Sequence, residues 1–237
     1  ARFWWAFPEF DRTMLERGWH VAHIDVTELY GGPEAIDRWN SFYDLMVHEL
    51  NFASQPAIEC MSRGGLISYN WAARNPEKVL CMYADNPVCD FTSWPGGKGS
   101  GPGNELCWQT CLDAYGLSEE EALAYKGNPI DNLKPLIDAG VPLLHVYGDE
   151  DEVVPYAENS GIMVERARSL GYDIELIRKP GMGHHPHCLE DPSPIVTFVE
   201  EAWRFRRVQG QPVIAADSGK SNVNKVQAVP IAVGDSR

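Results

Sequence analysis

The stretch PAIECMSRGGLISYNWAAR, residues 56–74, decides how the chain is read. Its first six residues are mostly apolar and strand-like. From Leu66 onward the pattern becomes helical, and Asn75-Pro76 closes it. Ser62 stands between the two, followed by Arg63 and the pair Gly64-Gly65. A serine there is either part of an ordinary tight turn or a nucleophile that the turn holds out. A hydroxyl attacks only when a base removes its proton, so the second reading requires an imidazole and an acid elsewhere in the chain.

Working outward, Pro8 opens a helix with acids in its first turn and Gly18 after its last. WHVAHIDV at 19–26 reads as a strand, and Gly31-Gly32-Pro33 leads into a helix over about 34–50. Further strands are expected at 78–84, 141–147 and 173–179, with helices over about 156–170 and 193–207. Residues 1–5 read as the end of a strand. Strands alternating with helices predict an α/β fold with a mostly parallel sheet flanked by helices.

Residues 90–130 interrupt the alternation. The Gly/Pro-rich SWPGGKGSGPGN at 93–104 precedes a helix over roughly 104–115, and Ser118 and Glu121 form a capping box. The expected organisation is one domain over 1–207 with this insertion as a short cap. Residues 208–237 lack a clear period and read as a linker or partly ordered tail. The chain starts Ala1-Arg2-Phe3, and its first strands are expected to be missing.

The chain has 237 residues, 44% hydrophobic and 23% charged, as in ordinary globular domains. Its longest apolar runs are strand-sized. The net charge of −14 argues against non-specific nucleic-acid binding and against docking on an anionic membrane. The six cysteines have no zinc-ribbon spacing, and Cys60 and Cys81 fall in strand-like runs as small core residues.

Two loops answer the question that Ser62 raises. HVYGDEDEVVP at 145–155 leaves one strand, and KPGMGHHPH at 179–187 leaves the next. Open parallel sheets collect functional groups at the carboxyl ends of their strands, so Ser62, Asp151 and His184 should meet on one edge. With the order serine, acid, histidine, the sequence resembles the α/β-hydrolase superfamily over most of residues 1–207. The resemblance is carried by CMSRG, GDEDEVVP and GMGH.

The resemblance implies Ser62 as nucleophile, His184 as base and Asp151 as the acid that orients His184. It selects Asp151 over Asp149, with Asp85 and Asp90 as weaker rivals. It places the oxyanion hole at the Arg63 N–H, with a second donor near Trp4. The superfamily usually has glycine two places before the serine, where this chain has Cys60. Gly64 and Gly65 would let helix and strand approach. Trp5, Trp94, His185 and His187 are expected to line the substrate pocket, with Trp94 on a mobile lid. The Arg63 side chain is either solvated or binds a substrate anion or a pocket acid. His145, inside an apolar strand, reads as a hydrogen-bonded core residue.

His184, His185 and His187 could ligate zinc or iron, but Pro186 stiffens the run and no HExxH helix accompanies it. The reading therefore carries no metal and no cofactor. The expected reaction is hydrolysis of a small-molecule carboxylic ester through an acyl-enzyme. Stacking on Trp4, Trp5 and Trp94 points to a carbohydrate or aryl ester. The alternatives are a peptidase similar to the prolyl-oligopeptidase catalytic domain and a non-catalytic binding protein on the same fold.

Overall fold

The computed structural model describes residues 6–208. Four parallel strands form one sheet in the order of the chain: β1 (Ala57–Met61), β2 (Cys81–Asp85), β3 (Leu143–Gly148) and β4 (Glu175–Lys179). Parallel neighbours require crossovers, and helices supply them. α3 (Gly64–Arg74) joins β1 to β2, and α7 (Ser160–Ser169) joins β3 to β4.

Successive strand residues point to opposite faces, so each face has its own core. Met82, Ala84 and Leu143 pack with Ile67 and Trp71 of α3 and with Met163 and Val164 of α7. Cys81, Tyr83, Leu144 and Val146 face the other way. They meet Phe10 and Met14 of α1 (Glu9–Glu16) and Ile195, Val196 and Val199 of α8 (Ser193–Val208). Every residue of β2 is buried, as expected of a strand covered on both sides.

The segment between β2 and β3 contains α4 (Glu105–Tyr115), α5 (Glu119–Ala124) and α6 (Lys134–Asp138). Trp94, Phe91, Trp108, Cys111 and Leu112 form a third core there with Tyr30, Leu66 and Val88. Ser118 and Glu121 make the expected capping box at the start of α5.

Two expectations fail. Residues 19–26 form no strand: no backbone among the described residues pairs with them as a strand, and only Val26 is buried there, with Trp19 and Ile24 partly so. The helix expected over 34–50 ends earlier, as α2 (Pro33–Asp44), and one π turn, Leu45–Glu49, continues it. The strand read at 1–5 and all of the tail beyond Val208 lie outside the described residues. Among the described residues no helix is long and apolar enough to cross a membrane.

Candidate functional site

The elbow at Ser62 is built by the sharpness of the turn between β1 and α3. Ser62 has φ +49°, a left-handed conformation that a serine adopts only under constraint. Backbone bonds supply the constraint. Ser62 N–H donates to Asp85 O at 3.0 Å, and Ser62 O accepts from Gly65 N–H at 3.0 Å and Val88 N–H at 2.8 Å.

The two glycines differ in importance. A Cβ on Gly65 would lie 2.5 Å from Val88 O, so only glycine lets the helix approach that segment. A Cβ on Gly64 would meet only Cys60 Cβ, at an ordinary 3.5 Å. Cysteine in place of the usual glycine at position 60 therefore causes no collision. It is simply a buried part of the core.

The three chemistry-bearing loops converge. His184 Nε2 lies 2.9 Å from Ser62 Oγ, and His184 Nδ1 lies 2.7 Å from Asp151 Oδ2. Both His184 and Asp151 side chains are almost fully buried. The other Asp151 oxygen accepts from the N–H groups of Val153 and Val154, both at 2.9 Å. The carboxylate is thus held from both ends, and the imidazole is held by the carboxylate.

Gly148 lets the acid loop and the histidine loop touch. A Cβ there would lie 2.4 Å from both Met182 O and Gly183 O. Asn86 at the end of β2 adds a tie that the sequence reading missed. Its side chain donates to His184 O at 3.0 Å and accepts from Gly148 N–H at 2.8 Å. Its φ of +43° was the only local peculiarity to find, and that is invisible in a sequence.

The rival acids have other work. Asp149 Oδ1 accepts from Gly181 N–H at 2.7 Å, which pins the histidine loop. Asp90 Oδ1 caps Thr92, through its N–H at 2.8 Å and its hydroxyl at 2.7 Å. Asp85 is fully buried and holds Lys179 Nζ at 2.9 Å and His187 Nδ1 at 2.8 Å. His145 is a core residue as expected, between Tyr69 OH and Ser160 Oγ. Burial pushes its pKa down to about 3, so it stays neutral.

Two of the residues expected at the substrate lie elsewhere. His187 is buried, and its pairing with Asp85 makes it an anchor of the loop. Trp94 is 8% exposed and stacks on Tyr30 at 6.2 Å, so it belongs to the core and to no mobile lid. The loop around it is tied down by side chains from afar. Glu158 accepts from the hydroxyls of Ser93 and Ser100, both at 2.6 Å, and Asn128 accepts from Phe91 N–H at 3.2 Å. His185 is exposed beside the other two imidazoles. Trp4 and Trp5 lie outside the described residues.

The Arg63 guanidinium reaches away from Ser62 to Glu28 Oε1 at 3.0 Å. It lies 5.2 Å from the Trp94 ring centroid and 5.5 Å from that of Tyr30. Of the readings of its side chain, the structure brings out pairing with an acid. Its backbone N–H stands at the start of α3 with no acceptor among the described residues. That N–H is free to meet an oxyanion.

A parallel sheet flanked by helices in this way is shared with solved structures. The chain has the α/β-hydrolase fold. A puromycin-hydrolyzing peptidase of Mycobacterium tuberculosis is similar over 77% of this chain, with 16% identity and a TM-score of 0.55. A puromycin hydrolase is similar over 80%, with 20% identity and a TM-score of 0.55. The acylaminoacyl peptidase of Pyrococcus horikoshii is similar over 83%, with 18% identity and a TM-score of 0.52. The chain spans 26%, 28% and 30% of the length of those structures respectively, so it corresponds to only part of each. No protein-family model and no curated protein matches the sequence. At these identities the likeness concerns the α/β-hydrolase fold, and chemistry has to be argued from the site.

Proposed function

We propose that the chain carries the catalytic centre of a serine hydrolase that cleaves amide bonds of peptide or aminoacyl substrates through an acyl-enzyme. The observation that carries this reading is the unbroken line Ser62–His184–Asp151, with contacts of 2.9 Å and 2.7 Å. Ser62 Oγ attacks the carbonyl carbon while its proton passes to His184 Nε2. Asp151 stabilises the resulting imidazolium through the Nδ1–H. The developing oxyanion meets the Arg63 N–H and the positive end of α3.

Collapse of the tetrahedral species breaks the C–N bond, and His184 returns its proton to the leaving amine. Water then enters, gives a proton to His184 and frees the acid product, restoring Ser62. A group placed with this accuracy turns a bimolecular step into an intramolecular one, which lowers the barrier.

Amide substrates are favoured over esters for two reasons. Of the structures of like fold named above, two are of peptidases and one is of a puromycin hydrolase. The stacking wall behind the sugar- or aryl-ester reading has also lost Trp94 to the core. The test is a matched panel of chromogenic aminoacyl and peptidyl amides against acyl and sugar esters. The proposal expects amide cleavage that falls by several orders of magnitude in Ser62→Ala. Turnover of esters alone would return the reading to an esterase. Substrate binding without any turnover would favour a binding protein on this fold.

A further inference from the structure

The hydrolysis uses only the backbone of Arg63, yet its side chain is held in a built setting. The guanidinium lies over two buried rings, 5.5 Å from the Tyr30 centroid and 5.2 Å from that of Trp94. Those rings stack on each other at 6.2 Å and form an apolar floor that fixes where the charge sits. What the floor leaves uncovered, 31% of the side chain, is open to solvent.

A guanidinium carries five N–H donors in a planar fork. Among the described residues only Nη1 is engaged, with Glu28 Oε1 at 3.0 Å and Tyr30 OH at 3.4 Å. The Nε–Nη2 edge, which can grip both oxygens of a carboxylate, has no acceptor there. Glu28 stands on the single turn Thr27–Leu29 with its side chain 68% exposed, and an ion pair so open contributes little. The charge of Arg63 is therefore spent only in part.

We propose that the Arg63 side chain determines specificity by selecting peptides that carry a carboxylate close to the bond cleaved. The inference rests on the reading of the chain as a hydrolase of peptide or aminoacyl amides. Arg63 and Ser62 are neighbours, with Cα atoms about 3.8 Å apart, and an extended peptide advances about 3.3–3.6 Å per residue. A carboxylate within one to three residues of the scissile carbonyl therefore comes within reach of the free edge. It can belong to an acidic side chain or to the peptide's own C-terminus. Glu28 tempers the selection, because its charge repels the incoming anion while it orients the guanidinium that receives it.

The test uses the full chain and matched peptides cleaved in competition. One set places Glu or Gln at each of three positions on either side of the scissile bond. A second compares free with amidated C-termini. The readout is the ratio of kcat/KM within each pair, taken within one variant so that changes in overall turnover cancel. Wild type should favour the charged member of at least one pair by about tenfold or more. The set that shows the preference tells a side-chain carboxylate from a terminal one. Arg63→Gln should bring that ratio to within about twofold of unity. Arg63→Lys should fall between, since an ammonium keeps the charge without the fork. Glu28→Gln should raise the ratio above wild type, and high salt should lower it in wild type. Ratios near unity throughout in wild type, or a ratio unaltered in Arg63→Gln, would overturn the proposal and leave the hydrolase reading standing. If Arg63→Gln does not fold, Glu28→Gln decides, and an unchanged or lower ratio there overturns the proposal. A folded chain that neither reacts with a fluorophosphonate nor cleaves any peptide would overturn the hydrolase reading, and this proposal with it.

Discussion

His187 Nδ1 lies 2.8 Å from Asp85 Oδ1, so a second histidine–aspartate pair stands behind the one that faces Ser62. The same carboxylate receives Lys179 Nζ at 2.9 Å and Cys188 N–H at 3.0 Å. Lys179 also donates to Pro186 O at 3.0 Å. The end of β2 is thereby fastened to both ends of the histidine loop. This buried knot keeps His184 in place without touching it.

Asp85→Asn should therefore destabilise the protein severely. It leaves the buried Lys179 ammonium without its counter-charge, a loss of about 3–5 kcal/mol. Urea unfolding measures it, and a loss below about 1 kcal/mol would mean that the knot is not structural.

Gly148→Ala addresses the contact between the acid and histidine loops. The new methyl would collide with the carbonyl oxygens of Met182 and Gly183 and force the loops apart. Stability should fall by about 1–3 kcal/mol, the usual cost of overpacking. Turnover of the folded fraction should fall much further, because the His184–Asp151 contact spans those two loops. Wild-type kcat in the folded variant would refute this.

Trp94→Ala should behave as a core substitution, with a loss of about 3–5 kcal/mol in thermal or urea unfolding. The ring lies against Tyr30 and under the Arg63 guanidinium. A change in KM with unchanged stability would restore the lid.

Glu59 gives the protein a pH dependence. Burial, and then the neighbouring Asp11 carboxylate, raise its carboxyl well above the usual carboxylate range. The folded state therefore keeps this proton to a higher pH than the unfolded chain does. As pH rises from the ordinary carboxyl range to the raised value, stability contributed by Glu59 is lost, by at most about 1.4 kcal/mol per pH unit. Glu59→Gln should flatten that slope and melt higher than wild type at the upper end of the window. Identical slopes in the two proteins would show that Glu59 is not the source.

The sequence displayed the site better than it displayed the surroundings. Strand, turn and helix at 56–74 are written in local pattern, and the acid and histidine loops follow strands that read the same way. What failed depended on distant partners. The apolar residues at 19–26 look like a strand, but a strand exists only beside another, and none among the described residues pairs there. Residues 93–104 look like open loop because they are rich in glycine and proline. Their ties come from Glu158 and Asn159, far along the chain. His187 is adjacent in sequence to residues of the site, and only its pairing with the distant Asp85 shows that it points inward.

The most direct measurement is the site of covalent modification by a fluorophosphonate probe, mapped by peptide mass spectrometry on the metal-free chain. The account predicts one adduct, on Ser62, formed in wild type and absent from Ser62→Ala. In His184→Ala it should form at a rate lower by orders of magnitude, while circular dichroism shows both variants folded. A folded wild-type chain that stays unmodified, or one modified equally fast without His184, would contradict it.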